Sequence, residues 1–305
     1  MHFAVLTAVL FALTGLCAAQ ASRILGAGRA NAWRLVIALA VLGGWAHGFG
    51  PGLRGNGLVW FLTAGGVGFG FGGWCTFQAL RRVGSTLTLL VNECAAALFA
   101  MVIGWVALGA FLRPSEMVFA AMVIGGVVIG MTPGPIPGLG RGSVLAGCGF
   151  AAIGALCQAV SINLSSHAFS LAKRAGVAIQ PIEAAYQRLL GGAAVALVLY
   201  AITAAARRGS PGEETETETA PFPEPLLPAP VWVTLNALCG PVLGVTCLLW
   251  AVSLVGNPGL VQTVAATATL LTVPLARRLE GARPGRRYFV GCVLALGGVA
   301  GLLLA

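Results

Sequence analysis

Ten uninterrupted apolar runs, each long enough to cross a bilayer as a helix, constrain this chain more than any other feature. They cover roughly 2–20, 31–49, 57–80, 85–111, 115–132, 142–166, 182–206, 231–254, 258–276 and 287–305. A helical span needs about 20 predominantly apolar residues. A membrane β-barrel would instead alternate polarity over short segments, so continuous runs predict helices. Composition agrees: only 9% of the 305 residues are charged and 58% are hydrophobic. A soluble domain carries about 25% charged residues, and this pool could not cover an aqueous surface. The reading is an all-α integral membrane protein with ten transmembrane helices.

The breaks between runs have chemical causes. Arg23 to Arg29 closes the first, Gly50-Pro51-Gly52 with Arg54 the second, Arg81-Arg82 the third and Arg113-Pro114 the fourth. Pro133-Gly134-Pro135-Ile136-Pro137 cannot continue a helix, because proline lacks the N–H donor and clashes with the preceding turn. Residues 133–141 are therefore expected to link two halves. Arg207 to Pro230, with five glutamates from Glu213 to Glu224 and several prolines, is expected to be a disordered loop, since like charges and low hydrophobicity cannot sustain a core. The first run is expected to be retained as a span, because no Lys or Arg precedes it as a secretory signal requires.

The net charge is +9, and 17 of the 18 basic residues are Arg. Those charges fall mostly in short loops, where they set orientation rather than bind nucleic acid. With the N-terminus inside, Arg54, Arg113, Lys173 and Arg174 lie inside and twelve basic loop residues lie outside. The positive-inside rule thus favours both termini outside. The chain has no Asp, which argues against membrane enzymes that hold a metal–diphosphate on clustered carboxylates. The eight Cys lie in apolar runs without CxxC spacing and read as small core-filling residues. No metal or cofactor site is expected.

The two halves resemble one another. Ala79-Leu80-Arg81-Arg82-Val83-Gly84-Ser85 aligns with Ala251-Val252-Ser253-Leu254-Val255-Gly256-Asn257. One span later come Leu112-Arg113-Pro114-Ser115 and Ala282-Arg283-Pro284-Gly285. Upstream, Asn31-Ala32-Trp33-Arg34-Leu35 resembles Ala184-Ala185-Tyr186-Gln187-Arg188-Leu189. Each unit then holds five spans, over 1–132 and 142–305, and an odd count inserts the second copy inverted. Inverted repeats typify secondary transporters, with the substrate site near the midplane.

On these features the sequence resembles the EamA-type carriers of the drug/metabolite transporter superfamily, over nearly its whole length. The ten-span plan, the Arg entering spans 2 and 7, and the small-residue spans 5 and 10 after a basic turn carry the resemblance. It implies two inverted five-helix bundles around a central cavity, movement of a small organic solute, often outward, and both termini inside, against the charge count. Two departures stand out. The family's Pro early in spans 4 and 9 is replaced by Glu93-Cys94 and Ala265-Ala266. The Glu that closes those spans survives as Glu280 but is Leu108 or Gly109 in the first half.

Glu93 is the leading candidate site residue. It stands about nine residues into span 4, near mid-bilayer, where a charge costs roughly 2.5–3.5 kcal/mol on the insertion scale. One account makes it the carrier of a coupling proton, another the partner of a substrate amine, and a third a protonated structural group bonded to a neighbouring helix. The amides Gln20, Gln78, Asn92, Gln158, Asn163, Asn236 and Gln262 are candidates to line the same cavity, because an unpaired amide is costly in lipid. Trp74 and Trp250, in the paired spans 3 and 8, are candidate cavity walls or interfacial anchors. Arg34 and Arg188 are read as interfacial, their long side chains snorkelling to headgroups, with attraction of anionic substrates as the alternative. His47 and His167, at span ends, are expected to meet water. Gly65 to Gly73 has small-xxx-small spacing, which permits close helix approach.

The resulting expectation is a secondary-active carrier in the cell membrane that exports a small organic metabolite, amino-acid-like or amphiphilic, by alternating access, as a monomer or homodimer. Its partners would be a small-molecule substrate, membrane lipids and a coupling proton, with no nucleic acid. The rivals are a membrane-embedded enzyme, for which no nucleophile–base pair or metal set is visible, and a non-transporting scaffold subunit.

Overall fold

The computed structural model describes residues 1–50, 52–53, 57–131, 140–209, 226–279 and 286–304, and every regular element among them is helical. Helix α1 is His2–Leu25 and α2 is Ala27–Phe49. Helix α3, Leu58–Gly65, runs through a π-helical segment, Gly66–Gly72, into α4, Gly73–Leu108. Then follow α5 Pro114–Met131, α6 Arg141–Arg174 and α7 Pro181–Gly209. Helix α8, Ala229–Ala237, passes through a second π segment, Leu238–Gly244, into α9, Val245–Val255. The chain ends in α10 Pro258–Ala265, α11 Ala268–Leu279 and α12 Arg286–Leu304. The expected linker at 133–141 falls mainly outside the described residues, as do Arg54, most of the acidic loop, Glu280 and the turn at 282–285.

Eight of the helical stretches are long and apolar enough to cross a membrane, and Pro114–Ile129 is a shorter apolar one. The protein is thus a multi-pass membrane protein, with only helices as regular structure among the described residues. Leu58–Leu108 counts as a single stretch of 51 residues, about 77 Å at 1.5 Å per residue, against a hydrocarbon thickness of about 30 Å. It is broken at Gly84, whose φ 76 and ψ 178 are non-helical. The predicted boundary at Arg81-Arg82 therefore lies slightly early: the helix runs through both arginines and stops at the first residue without a Cβ. Lipid replaces water around this assembly. Val59, Val106 and Val293 are 73%, 78% and 74% exposed, a pattern that would promote association in water.

Helix α1 is central, packing against α2, α4, α8, α9, α10 and α11. Helix α4 lies along α6, and α7 along α2, α3 and the first π segment. The pair α5–α12 packs together at one side, with glycines at the seam. A Cβ at Gly126 would stand 2.6 Å from the Ala295 nitrogen, and one at Gly298 would stand 2.8 Å from the Phe119 carbonyl. Small residues there allow backbone-to-backbone contact where no hydrophobic force separates helix from lipid.

The two π segments have different causes. The first is Gly-Val-Gly-Phe-Gly-Phe-Gly, and the backbone can loosen because glycine lowers helix propensity by about 1 kcal/mol per residue. The second contains Pro241, which removes an N–H from the helical ladder. Each ends twelve residues before a positive-φ glycine, Gly72 before Gly84 and Gly244 before Gly256. The ninth predicted span is interrupted after Ala265. There Thr267 Oγ1 bonds the Val264 carbonyl and Thr269 Oγ1 the Ala266 carbonyl, each at 2.7 Å, and such back-bonding by threonine bends helices.

Candidate functional site

A cavity of about 800 Å³, counting the part that opens outward, lies among α1, α2, the first π segment, α4, α6, α7 and the α8–α9 stretch. Its apolar lining includes Phe11, Phe69, Phe77 and Leu248, and its polar lining includes Thr14, Arg34, Thr76, Asn92, Glu93, Gln158, Arg188 and Asn236.

Glu93 is the hub. Its Oε1 accepts from Asn92 Nδ2 at 3.1 Å, and its Oε2 accepts from Gln262 Nε2 at 2.9 Å and Gln158 Nε2 at 3.4 Å. The Asn92 amide also donates to Gln158 Oε1 at 3.2 Å. Three helices therefore meet at one carboxyl group: α4 through Glu93 and Asn92, α6 through Gln158, and α10 through Gln262. A hydrogen bond to a charged group is worth about 1.5–3 kcal/mol, so this set offsets the roughly 2.5–3.5 kcal/mol of holding a carboxylate at mid-bilayer.

The remaining predicted residues divide. Asn236 lines the cavity and accepts from Thr14 Oγ1 at 2.6 Å. Gln262 is fully buried and reaches the site only through Glu93. Trp74 and Gln78 line a different hollow of about 660 Å³, with Arg29, Arg81 and Tyr200. There Gln78 accepts from Arg82 at 2.9 Å. Gln20 is buried and accepts from Arg23 at 3.4 Å, while Asn163 donates to the Ala100 and Ala159 carbonyls at 3.2 and 2.9 Å, a bridge between α6 and α4. Trp250 is 41% exposed and stacks on Phe3, with centroids 5.1 Å apart, and it lines neither of these two hollows.

The two arginines overturn the interfacial expectation. Arg34 and Arg188 both line the central cavity, and Arg188 is only 3% exposed. Snorkelling fails because each stands seven residues inside its helix, about 10 Å deep, Arg188 on a face that packs against the first π segment and Arg34 against the start of α4. Arg188 donates from Nη2 to Ser161 Oγ at 2.7 Å and lies over the Phe69 ring at 5.2 Å. Arg34 donates from Nε to Asn31 Oδ1 at 2.9 Å and lies over Phe77 at 4.7 Å. The glycines of span 3 make room for this. A Cβ at Gly65 would overlap the Arg188 carbonyl, one at Gly68 would meet Ser161 Oγ at 2.5 Å, and one at Gly73 would stand 3.0 Å from Arg34 Nη2. Asn31 Nδ2 in turn donates to the Phe69 carbonyl in the π segment at 3.2 Å.

His47 is exposed at the end of its span, as expected, but it also makes a specific contact. Its Nε2 bonds the Tyr186 hydroxyl at 2.8 Å and ties α2 to α7, while the His167 ring packs edge-on against Trp60. Sequence reasoning missed Thr14, Thr76 and Ser161. A readable signal existed only for Ser161, one turn from Gln158 and beside Asn163 on the most polar stretch of α6.

Residues 1–132 match the EamA-like transporter family. No curated protein matches the chain. A solved protein, described only as "Crystal structure of protein", superposes with a TM-score of 0.67 over 99% of this chain and 95% of its own. The two are 20% identical, so the likeness is one of fold. Over residues 1–132 the chain is thus similar to the EamA-like transporters, a family of the drug/metabolite transporter superfamily.

Proposed function

We propose that the protein is a secondary-active carrier that exports a small organic metabolite across the cell membrane by alternating access. In this reading ten spans form two inverted five-helix repeats. Gly84 divides the 51-residue stretch into two spans, the short apolar helix α5 completes the first unit, and the α10–α11 stretch counts as one span. The paired π segments and their paired positive-φ glycines support the repeat, because they fall at equivalent places although the π segments themselves differ in sequence. Glu93 carries the coupling proton.

The observation that carries the reading is the composition of the Glu93 cluster. Asn92 comes from the first half, while Gln158 and Gln262 come from the second. A site held jointly by two units is sensitive to any relative motion between them, as a carrier requires.

The test uses Asn236→Cys in a background with the eight native cysteines replaced. In sealed vesicles of either orientation, a membrane-impermeant maleimide should label this cavity position from both faces. Labelling from one face alone, under every solute and pH gradient applied, overturns alternating access.

A further inference from the structure

The charges facing the central cavity are unequally provided for. Both oxygens of Glu93 are engaged by amide donors, three in all. Arg188 spends Nη2 on Ser161, but its buried Nε and Nη1 meet no hydrogen-bond acceptor. The guanidinium carbon lies 5.2 Å from the centre of the Phe69 ring, a contact that offers no hydrogen-bond acceptor, so its N–H groups remain its means of binding. None of the donors to Glu93 is an arginine. The cavity thus holds two cations and one carboxyl group, and the carboxyl group is already occupied.

A desolvated guanidinium needs both an anion and acceptors for its N–H groups. Arginine meets that need best with a carboxylate or a phosphate, whose oxygens match its planar fork. An amine-bearing substrate would have to displace the amides from Glu93, whereas an anion finds unspent donors on Arg188.

We propose that the cavity binds an organic anion, its carboxylate or phosphate on Arg188, with Arg34 as the second cation and its apolar body against Phe11, Phe77 and Leu248. The proposal rests on the carrier reading for the role of the cavity, and goes beyond it by fixing the charge of the ligand.

The experiment follows thermal unfolding of the purified full chain in neutral detergent, by tryptophan fluorescence, at constant ionic strength. Four probes of similar size are compared: benzoate, phenyl phosphate, benzylamine and benzyl alcohol. At least one anion should raise the midpoint by about 2 °C or more, saturably, with the amine and the alcohol ineffective. A shift with benzoate alone assigns a carboxylate ligand, and one with phenyl phosphate alone a phosphate. The shift should vanish in Arg188→Gln, weaken in Arg188→Lys, which keeps the charge but loses the fork, and persist in Arg174→Gln.

Stabilisation by benzylamine without the anions, no anion shift at tens of millimolar, or an anion shift that survives Arg188→Gln each overturns the proposal. If Arg188→Gln does not withstand purification, the four-probe comparison on the native chain and on Arg188→Lys decides. Failure of the carrier reading looks different: one-sided labelling at Asn236→Cys, with anion binding intact.

Discussion

The side-chain amide of Gln262 donates to Glu93 Oε2 at 2.9 Å, joining residues 169 positions apart. This bond fastens α10 to α4 at the level of the cavity, and it is the shortest of the three that Glu93 accepts. Gln262 is fully buried, and Glu93 meets only the cavity. Any movement that separates the two halves at this level must break the bond or carry both helices together.

Glu93→Gln keeps the size of the side chain and an acceptor oxygen but cannot carry a proton. Gradient-driven flux in proteoliposomes should fall to background, while yield and unfolding midpoint stay close to those of the native chain. Flux unchanged at several pH values would remove Glu93 from the coupling step.

Gln262→Leu tests the same bond through stability. It removes one donor to a carboxyl group, worth about 1.5–3 kcal/mol. It also removes the Gln262 Oε1, a buried acceptor without a partner, which recovers part of that cost. A net loss of about 1–2 kcal/mol is expected. In a double-mutant cycle with Glu93→Gln, which leaves the midpoint nearly unchanged, Gln262→Leu should cost clearly less than it does in the native chain. Additivity would mean that the contact carries no energy.

Asn257 controls the position of α10 from outside the cavity. Its Oδ1 accepts from the Gly259 and Leu260 nitrogens at 3.1 and 3.3 Å, and Pro258 opens the helix without an N–H to satisfy. Asn257→Ala should cost about 1 kcal/mol and Asn257→Asp much less, because aspartate caps equally well. Equal losses for the two would show that the cap plays no part.

Glycines of α3, α7 and α2 separate packing from propensity. Gly65 and Gly191 sit where a Cβ would overlap backbone of the facing helix, at Arg188 and Leu62, whereas Gly44 has open space. Gly65→Ala and Gly191→Ala should each cost at least about 1–3 kcal/mol, and Gly44→Ala should be neutral or stabilising by up to about 1 kcal/mol. Equal unfolding midpoints for Gly65→Ala and Gly44→Ala would contradict the close approach of α3 and α7.

Most of this architecture was legible in the sequence, because hydrophobic run length is a direct measure of a bilayer crossing. Glu93 was legible for a similar reason, since a lone carboxylate at that depth demands an explanation. What the sequence withheld was rotational phase. Gln78 and Asn92 both read as polar residues in span interiors, yet one helix face aims Gln78 at Arg82 and another aims Asn92 at Glu93. Arg34 and Arg188 were misread for the same reason. Depth alone permitted either the headgroups or the cavity, and the choice was made by glycines on a neighbouring helix. Their equal depth in the two halves was the available sign of a shared role. The π segments were hidden because they arise from unlike sequences, one rich in glycine and one broken by Pro241.

The two positive-φ glycines that end the paired stretches differ in what they tolerate. Gly84 has φ 76 and ψ 178, a region essentially confined to glycine. Gly256 has φ 70 and ψ −6, near the left-handed region that asparagine also enters. Gly84→Ala and Gly84→Asn should therefore both be destabilising, by about 1–3 kcal/mol. At Gly256 a Cβ meets nothing within 4 Å, so only backbone conformation is at stake. Gly256→Ala should cost about 1–2 kcal/mol and Gly256→Asn distinctly less. Unfolding midpoints of the four variants check this. If asparagine rescues Gly84 as well as Gly256, the break in the 51-residue stretch is a left-handed cap like the one at Gly256, and its extended ψ is wrong.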